Sequence, residues 1–407
     1  MRPQLYPLVW FAWLALQGPQ TMGCSQSVDA AAAADTRVSQ AIEEELKRAR
    51  REEALVTKCL LLGPGESGKS TIVKQMRLVY SSPYTTAELL SFRETIFSNL
   101  LQSAQSLLSS FSALKIRLPA DVKGETRWLR EVEETEEVVD PETGGLRSEA
   151  AQALGRLWEA EGTKEAMRRS AEFQLNDSAE YFFTHLARIA SPSYLPTEED
   201  VLRTRVRSIG VVEQTFEVLK GRKLRVVDVG GQRSERKKWV HQFENIGMLL
   251  YALSCPSFPE QPRPTLIVGR RFVVAVSEYN QTLFEDSRQN RLDESLELWE
   301  MISASRWFRR STFVLFLNKT DIFERKILSG FAPLAASVPN YRGPPSNVAA
   351  AKSYMLDTFT ALYKQHTPER ALFAHFTQAT DKVSTQVVLG AVMTGVLTST
   401  LQEMGLL

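Results

Sequence analysis

Three cysteines in 407 residues, Cys24, Cys59 and Cys255, stand far apart and match no metal-ligand spacing. This excludes a disulfide scaffold and a zinc module, and it is the cysteine usage of a reducing compartment. Charge of one sign is missing too. The 49 basic and 48 acidic residues leave a net charge of +1, so nothing points to a nucleic-acid partner. Long apolar runs are scarce. Leu8 to Leu16 (LVWFAWLAL) looks like the h-region of a signal peptide and is too short to span a bilayer. Residues 28–53 contain no proline or glycine, and from about Thr85 to Asp200 no stretch has the alternation of a strand. An apolar fraction of 43% and a charged fraction of 24% are those of an ordinary globular chain, long enough for two domains.

What is present is organised around Gly63-Pro64-Gly65-Glu66-Ser67-Gly68-Lys69-Ser70-Thr71, a G-x-x-x-x-G-K-[ST] stretch. Leu55 to Leu62 before it reads as a buried strand, and Ile72 to Tyr80 after it as a helix. Strand, glycine turn and helix N-terminus make a phosphate cradle whose successive N–H groups point at the anion. Lys69 is expected to reach the β- and γ-phosphates, and the Ser70 hydroxyl to sit on Mg²⁺.

Residues 28–53 are alanine- and charge-rich, which predicts one solvated helix; Ile42, Leu46 and Ala49 give it a narrow apolar stripe. Ser81-Ser82-Pro83 ends the helix after the glycine loop. Phe92, Ile96, Leu100, Leu101, Leu107 and Leu108 then recur at helical spacing, as do Trp158, Phe173, Tyr181 and Leu186, so the segment reads as all-helical. Its middle, Glu131 to Ala151, reads as a loop, and Asn176-Asp177-Ser178 as a helix N-cap. Strands return at Val212–Val218, Leu224–Val229, Met248–Ala252, Thr312–Leu317 and Leu372–Thr377, with helices between them such as Asp286 to Met301. The alternation predicts an α/β doubly wound sheet. Residues 253–273 do not fit: four prolines interrupt what should be one central strand, and such a segment is expected to stay outside the ladder.

Three further motifs lie at the ends of expected strands. Asp228-Val229-Gly230-Gly231-Gln232 offers a carboxylate to hold Mg²⁺ through water, a glycine N–H for the γ-phosphate, and a glutamine to orient the attacking water. In Asn318-Lys319-Thr320-Asp321 the aspartate can accept both the N1–H and the N2 amine of guanine, a pair that adenine does not offer. Thr377-Gln378-Ala379-Thr380 places the Ala379 N–H for the guanine O6. The aspartate–glycine–glutamine stretch or the Asn-Lys-x-Asp stretch alone is weak; with the glycine loop and Thr377–Thr380, in this order and each at a strand's end, they are a strong joint signal.

GESGKST, LNDSAEYF, DVLRTRV, DVGGQRSERKKW, FLNKTD and the terminal GLL make the chain resemble the heterotrimeric G-protein α subunits, of the kind found in fungi. The resemblance covers residues 22–407 except 253–273. It implies a Ras-like P-loop GTPase domain (54–83 and 204–407) interrupted by an all-α helical domain (84–203), with the nucleotide between them. It implies nucleotide contacts from Glu66, Ser67, Gly68, Lys69, Ser70 and Thr71. Asp177 and Ser178 contribute from across the cleft, and Leu202, Arg203, Thr204 and Arg205 from the linker. Asp228, Val229, Gly230, Gly231 and Gln232 follow, with Asn318, Lys319, Thr320, Asp321 and Ala379 around the base. Gln232 and Arg205 are the expected catalytic residues. Arg205 matches the built-in arginine finger, and this family is itself the standard example of an arginine supplied in cis. Ser70 and Ser208 are the implied Mg²⁺ ligands; Ser208 stands where the family usually has threonine, which keeps the oxygen and loses a methyl. Glu66 is expected to pair with Arg205 across the cleft.

The implied activity is GTP hydrolysis by a timed molecular switch. The implied partners are a βγ dimer at the second switch (Gln232 to Trp239), a seven-helix membrane receptor at the C-terminus, and an effector enzyme. Other departures are Pro64 for alanine, Gln378 for cysteine, and Met404 in place of a cysteine that some members carry as a toxin target. Met22-Gly23-Cys24-Ser25-Gln26-Ser27 fits N-myristoylation at Gly23, with Cys24 open to palmitoylation. Translation is therefore expected to start at Met22, with residues 1–21 outside the mature protein and the chain on the cytoplasmic face of the plasma membrane. Residues 253–273 are expected to be an unspliced intron of 21 codons, with a true insertion as the alternative. Two rivals are a GTP-binding scaffold with little hydrolysis, motivated by Ser208 and the insert, and an ATP-using P-loop enzyme, which Asp321 opposes.

Overall fold

The structure is a computed structural model of the 407-residue chain. It describes residues 38–49, 56–133, 135–206, 210–219, 222–239, 269–283, 285–308, 312–330, 332–383, 385–387 and 390. Residues 38–49 form a helix belonging to a unit of its own. Val38, Ile42 and Leu46, spaced four apart, make one exposed apolar stripe along it.

Among its described residues the second unit has six strands: β1 (Val56–Leu62), β2 (Val211–Leu219), β3 (Arg222–Val229), β4 (Gly269–Ala275), β5 (Thr312–Asn318) and β6 (Leu372–Phe376). Their order is β2-β3-β1-β4-β5-β6, parallel except for antiparallel β2 at the edge. Alternate residues feed two hydrophobic clusters. Leu60, Leu62, Val227, Val229, Val274, Leu315 and Leu317 enter one, and Cys59, Leu61, Val226, Val273, Val314 and Phe316 the other. Helix Lys69–Tyr80 covers the second face with Ile72, Val73 and Met76; helices Arg291–Ala304, Thr320–Ser329 and Val348–His366 cover the first. A strand buried on both faces reads as an unbroken apolar run, which is why these strands are legible without alternation. Each fully buried Val, Leu or Phe contributes about 1.5–3 kcal/mol.

Between helix Lys69–Tyr80 and β2 the described residues form helices and turns, with one isolated bridge between Val139 and Leu146. The longest helix, Arg93–Ala113, buries Ile96, Leu100, Leu101, Leu107 and Leu108. They join Leu154, Phe182 and Ile189 in a third cluster, which also takes in Val132, Leu146 and Tyr194 from the connections between helices. Two capping boxes, Thr85 with Glu88 and Thr197 with Asp200, start helices Thr86–Ser91 and Glu198–Arg203.

Two expectations need correction. The central strand between β1 and β5 is Gly269–Ala275, so residues 269–273 pair in the ladder instead of standing outside it. All four prolines precede that strand, so the ladder loses no donor to them. Met248–Ala252 lies outside the described residues. The helix expected from Asp286 begins at Arg291, because the Asn290 side chain accepts from Leu292 N and caps it there.

Candidate functional site

β1 lies between β3 and β4, to which the chain runs in opposite directions across the sheet, so a crevice opens at its carboxyl end. The loops after β1, β3, β5 and β6 meet there. Gly68 sits at φ 97°, and a Cβ on it would lie 2.2 Å from Asn318 Nδ2. A Cβ on Gly231 would lie 2.5 Å from Gly63 O, Pro64 O and Lys69 Nζ. Both glycines are therefore required by close approach of the loops to one another. Asn318 is the junction. Its Nδ2 donates to Ser67 O at 3.0 Å, and its Oδ1 accepts from Ala379 N at 3.0 Å and Thr377 Oγ1 at 3.2 Å. Thr320 Oγ1 donates to Thr377 O at 3.0 Å.

Lys69 is buried and donates to Gly63 O (3.0 Å) and Pro64 O (2.8 Å) of its own loop. Burial pulls its pKa down to about 8, with nearby Asp228 opposing the fall. Ser70 Oγ donates to Asp228 Oδ2 at 2.8 Å. A hydroxyl and a carboxylate side by side are hard oxygen donors of the kind Mg²⁺ takes. Ser67 is fully buried and donates to Pro64 O; Thr71 follows in the helix. Gln232 stands beside the loop, 3.4 Å from the position of a Gly65 Cβ. Its Oε1 is buried without a hydrogen-bond partner, an acceptor available to a water in that crevice.

From these loops runs a chain of charges. Glu66, at φ 65°, pairs with Arg205 through one carboxylate oxygen and accepts from Arg291 Nη1 at 2.9 Å through the other. The expected Glu66–Arg205 contact is thus in place. Arg291 also donates to Glu278 (3.0 Å) and to Gln174 Oε1 (2.9 Å). Glu278 pairs with Lys319, which in turn pairs with Asp177. Burial works against the charge on Glu66, Asp177 and Lys319. Their partners overcome it, holding both carboxyls below and Lys319 above their ordinary pKa.

After Gln232, Arg233 and Arg236 reach the buried Glu294 at 2.8 and 2.5 Å. Trp239 Nε1 donates to Gly230 O at 2.8 Å, and Gly230 N donates to Gly210 O at 3.2 Å; Val229 is buried in β3. On the linker, Leu202 and Thr204 are buried, and Arg203 stacks over Tyr181 with 4.3 Å to the ring centroid. Ser178 stands at the N-cap position of helix Ala179–Thr184 without a side-chain cap bond, its N–H donating to Asn176 Oδ1. Asp321 lies partly exposed in the first turn of helix Thr320–Ser329. Gly23, Cys24 and Ser208 lie outside the described residues.

Sequence reading missed Arg291, Glu278 and Gln174. One signal existed: an arginine in the first turn of a helix opposes the helix dipole and calls for carboxylate partners. Placing that helix start at Asp286 concealed it.

Sheet order, glycine loop and converging strand-end loops define a P-loop nucleotide-binding protein. Residues 36–396 match the family model described as G-protein alpha subunit. A guanine nucleotide-binding protein subunit alpha of Pyricularia oryzae is 39% identical over 95% of this chain and 100% of its own length. The alpha-1 subunit of Neurospora crassa is likewise 39% identical over 95% and 100%. A G-protein complex alpha subunit of Aspergillus fumigatus is 40% identical over 90% and 95%. The chain belongs to the G-protein alpha subunit family, the GTP-binding and GTP-hydrolysing switches of heterotrimeric G proteins.

Proposed function

We propose that the strand-end crevice holds GTP between a Ras-like domain and an inserted helical domain, and that its hydrolysis times a signal. The observation that carries this is Asn318, which bonds Ser67 of the phosphate loop and Ala379 of the β6 loop at once. One site then holds both ends of a guanine nucleotide: N–H groups from Glu66 to Thr71 take the phosphates, Lys69 takes charge on the terminal ones, and Asp321 and Ala379 read guanine. Ser70 and Ser208, with Asp228 through water, are the residues for Mg²⁺, which when bound would neutralise phosphate charge. Gln232 orients the water and Arg205 faces the charge developing on the γ-phosphate.

The finer roles follow from the same reading. The Gln232–Trp239 stretch, held by Glu294, is the surface that exchanges a βγ dimer for an effector enzyme as the phosphate comes and goes. The receptor engages the C-terminus. Myristate on Gly23 and palmitate on Cys24 hold the protein at the cytoplasmic face of the plasma membrane, two chains being enough for stable anchoring. Among the described residues no helix is long and apolar enough to cross a membrane.

Gln232→Leu is expected to retain GTP and lower single-turnover hydrolysis by about 100-fold or more. Equal rates for variant and wild type would remove Gln232 from the mechanism. A background rate in wild type would leave a GTP-binding scaffold, and ATP displacing GTP would point to the ATP-using class.

A further inference from the structure

We propose that Asn99 is the positioning residue for Arg205. The inference rests on the reading of Arg205 as the arginine that meets the γ-phosphate. Asn99 lies in helix Arg93–Ala113, 106 positions before Arg205, and is 2% exposed. Asparagine is a poor choice for a helix interior, so a contact outside the helix explains it better than helix formation does. That contact is two-sided. Arg205 N donates to Asn99 Oδ1 at 2.7 Å, and Asn99 Nδ2 donates to Arg205 O at 3.0 Å. One amide thus closes a ring with both backbone groups of a single residue, as a neighbouring strand would.

The preceding residues are gripped from the other side. Lys74, on the helix that follows the phosphate loop, donates to Val201 O (2.9 Å) and Thr204 O (2.8 Å). Thr204 N donates back to Asp200 O at 2.9 Å. The Arg205 backbone is therefore fixed between the phosphate-loop helix and the helical segment, and only its side chain remains to swing. The guanidinium, 44% exposed and paired with Glu66, can transfer to the phosphate by side-chain torsions alone. A backbone free to wander would have to be ordered again in each turnover, which slows the step without changing which groups react.

The test is single-turnover phosphate release from the full chain loaded with GTP and Mg²⁺, alongside titration of a fluorescent, non-hydrolysable GTP analogue. Asn99→Ala is expected to slow hydrolysis about tenfold or more while analogue affinity stays within about twofold. Asn99→Asp keeps the acceptor for Arg205 N and loses the donor to Arg205 O; it is expected to fall between wild type and Asn99→Ala, and it replaces that variant if alanine does not fold. The deciding arm is the double variant. Asn99→Ala added to Arg205→Ala is expected to cause no further loss, because a positioning residue has nothing left to position. Loss by the same factor in both backgrounds would overturn the proposal and leave Asn99 a structural residue. An unchanged rate in Asn99→Ala would overturn it too. If Arg205→Ala itself hydrolyses normally, the reading of Arg205 fails first and the proposal with it.

Discussion

The strand-end loops and the face opposite them hold their polar groups in different ways. In the loops most contacts run to backbone: Asn318 to Ser67 O and Ala379 N, Lys69 to Gly63 O and Pro64 O, Ser67 to Pro64 O. On the facing side the contacts run charge to charge: Glu66 to Arg205 and Arg291, and toward the helical segment Lys319 to Asp177, with Arg325 to Glu180 and Lys382 to Glu198 at the rim. A backbone contact leaves no room for a methyl group, as Gly231 shows against Gly63 O and Pro64 O, and Gly68 meets the Asn318 amide as closely. A pair of long charged side chains tolerates displacement and can open and reclose. One half is thus held rigidly, and the other by contacts that give.

The comparison breaks most readily at Gly68. Gly68→Ala puts a Cβ against Asn318 Nδ2 at φ 97°, a clash with backbone strain added. Guanine-nucleotide affinity, titrated with fluorescent GDP, is expected to fall about 1,000-fold. An affinity within tenfold of wild type would show that the loops are not a rigid frame.

Asp200 sharpens the other half, because it shows what a charged contact does when it does not open. It is fully buried and accepts from Arg188 at 2.7 and 2.8 Å, Tyr181, Tyr194 and Thr197 N. Burial would raise its pKa, but Arg188 and the other donors prevail and lower it from 3.8 to about 2. A depressed carboxyl stabilises the fold above its unfolded value. The contribution, about 2 kcal/mol, is complete above pH ~4 and lost as pH falls toward ~2. Asp200→Asn is expected to cost about 3 kcal/mol in denaturant unfolding at pH 7, and to flatten stability over that acid range.

The smallest effect belongs to the rim. Arg325 and Glu180, 3.2 Å apart, have side chains about 60% exposed. Arg325→Ala is expected to change unfolding free energy by less than about 0.5 kcal/mol. A loss above 1 kcal/mol would mean that the rim pair stabilises the fold as Asp200 does.

The legible parts of the fold are those written in one stretch of chain. Leu60 to Leu62 and Val314 to Leu317 declared buried strands, Ile96 to Leu108 declared a helix, and the glycine loop declared the helix behind it, because each pattern repeats within ten or so residues. The central strand was misplaced because Arg270-Arg271-Phe272-Val273 follows four prolines, and nothing local marks where proline's veto ends. Helix Arg291–Ala304 was started five residues early for a similar reason: Asp286, Ser287 and Asn290 are all capping residues, and packing selected the last.

At the site, the sequence alone determined which groups stand at the strand ends: a glycine loop with Lys69 and Ser70, Asp228 to Gln232 after the third strand, and Asn318 to Asp321 after the fifth. Those features are backbone conformations and strand-end positions, which short-range sterics dictate. Only the tertiary structure decided which distant groups meet. Arg291 joins Glu66 across 225 positions and Asn99 joins Arg205 across 106. No local pattern encodes such pairs, because their members lie on elements that meet only when sheet and helices pack, and burial then requires each charge to find a counter-charge and each polar group a hydrogen bond.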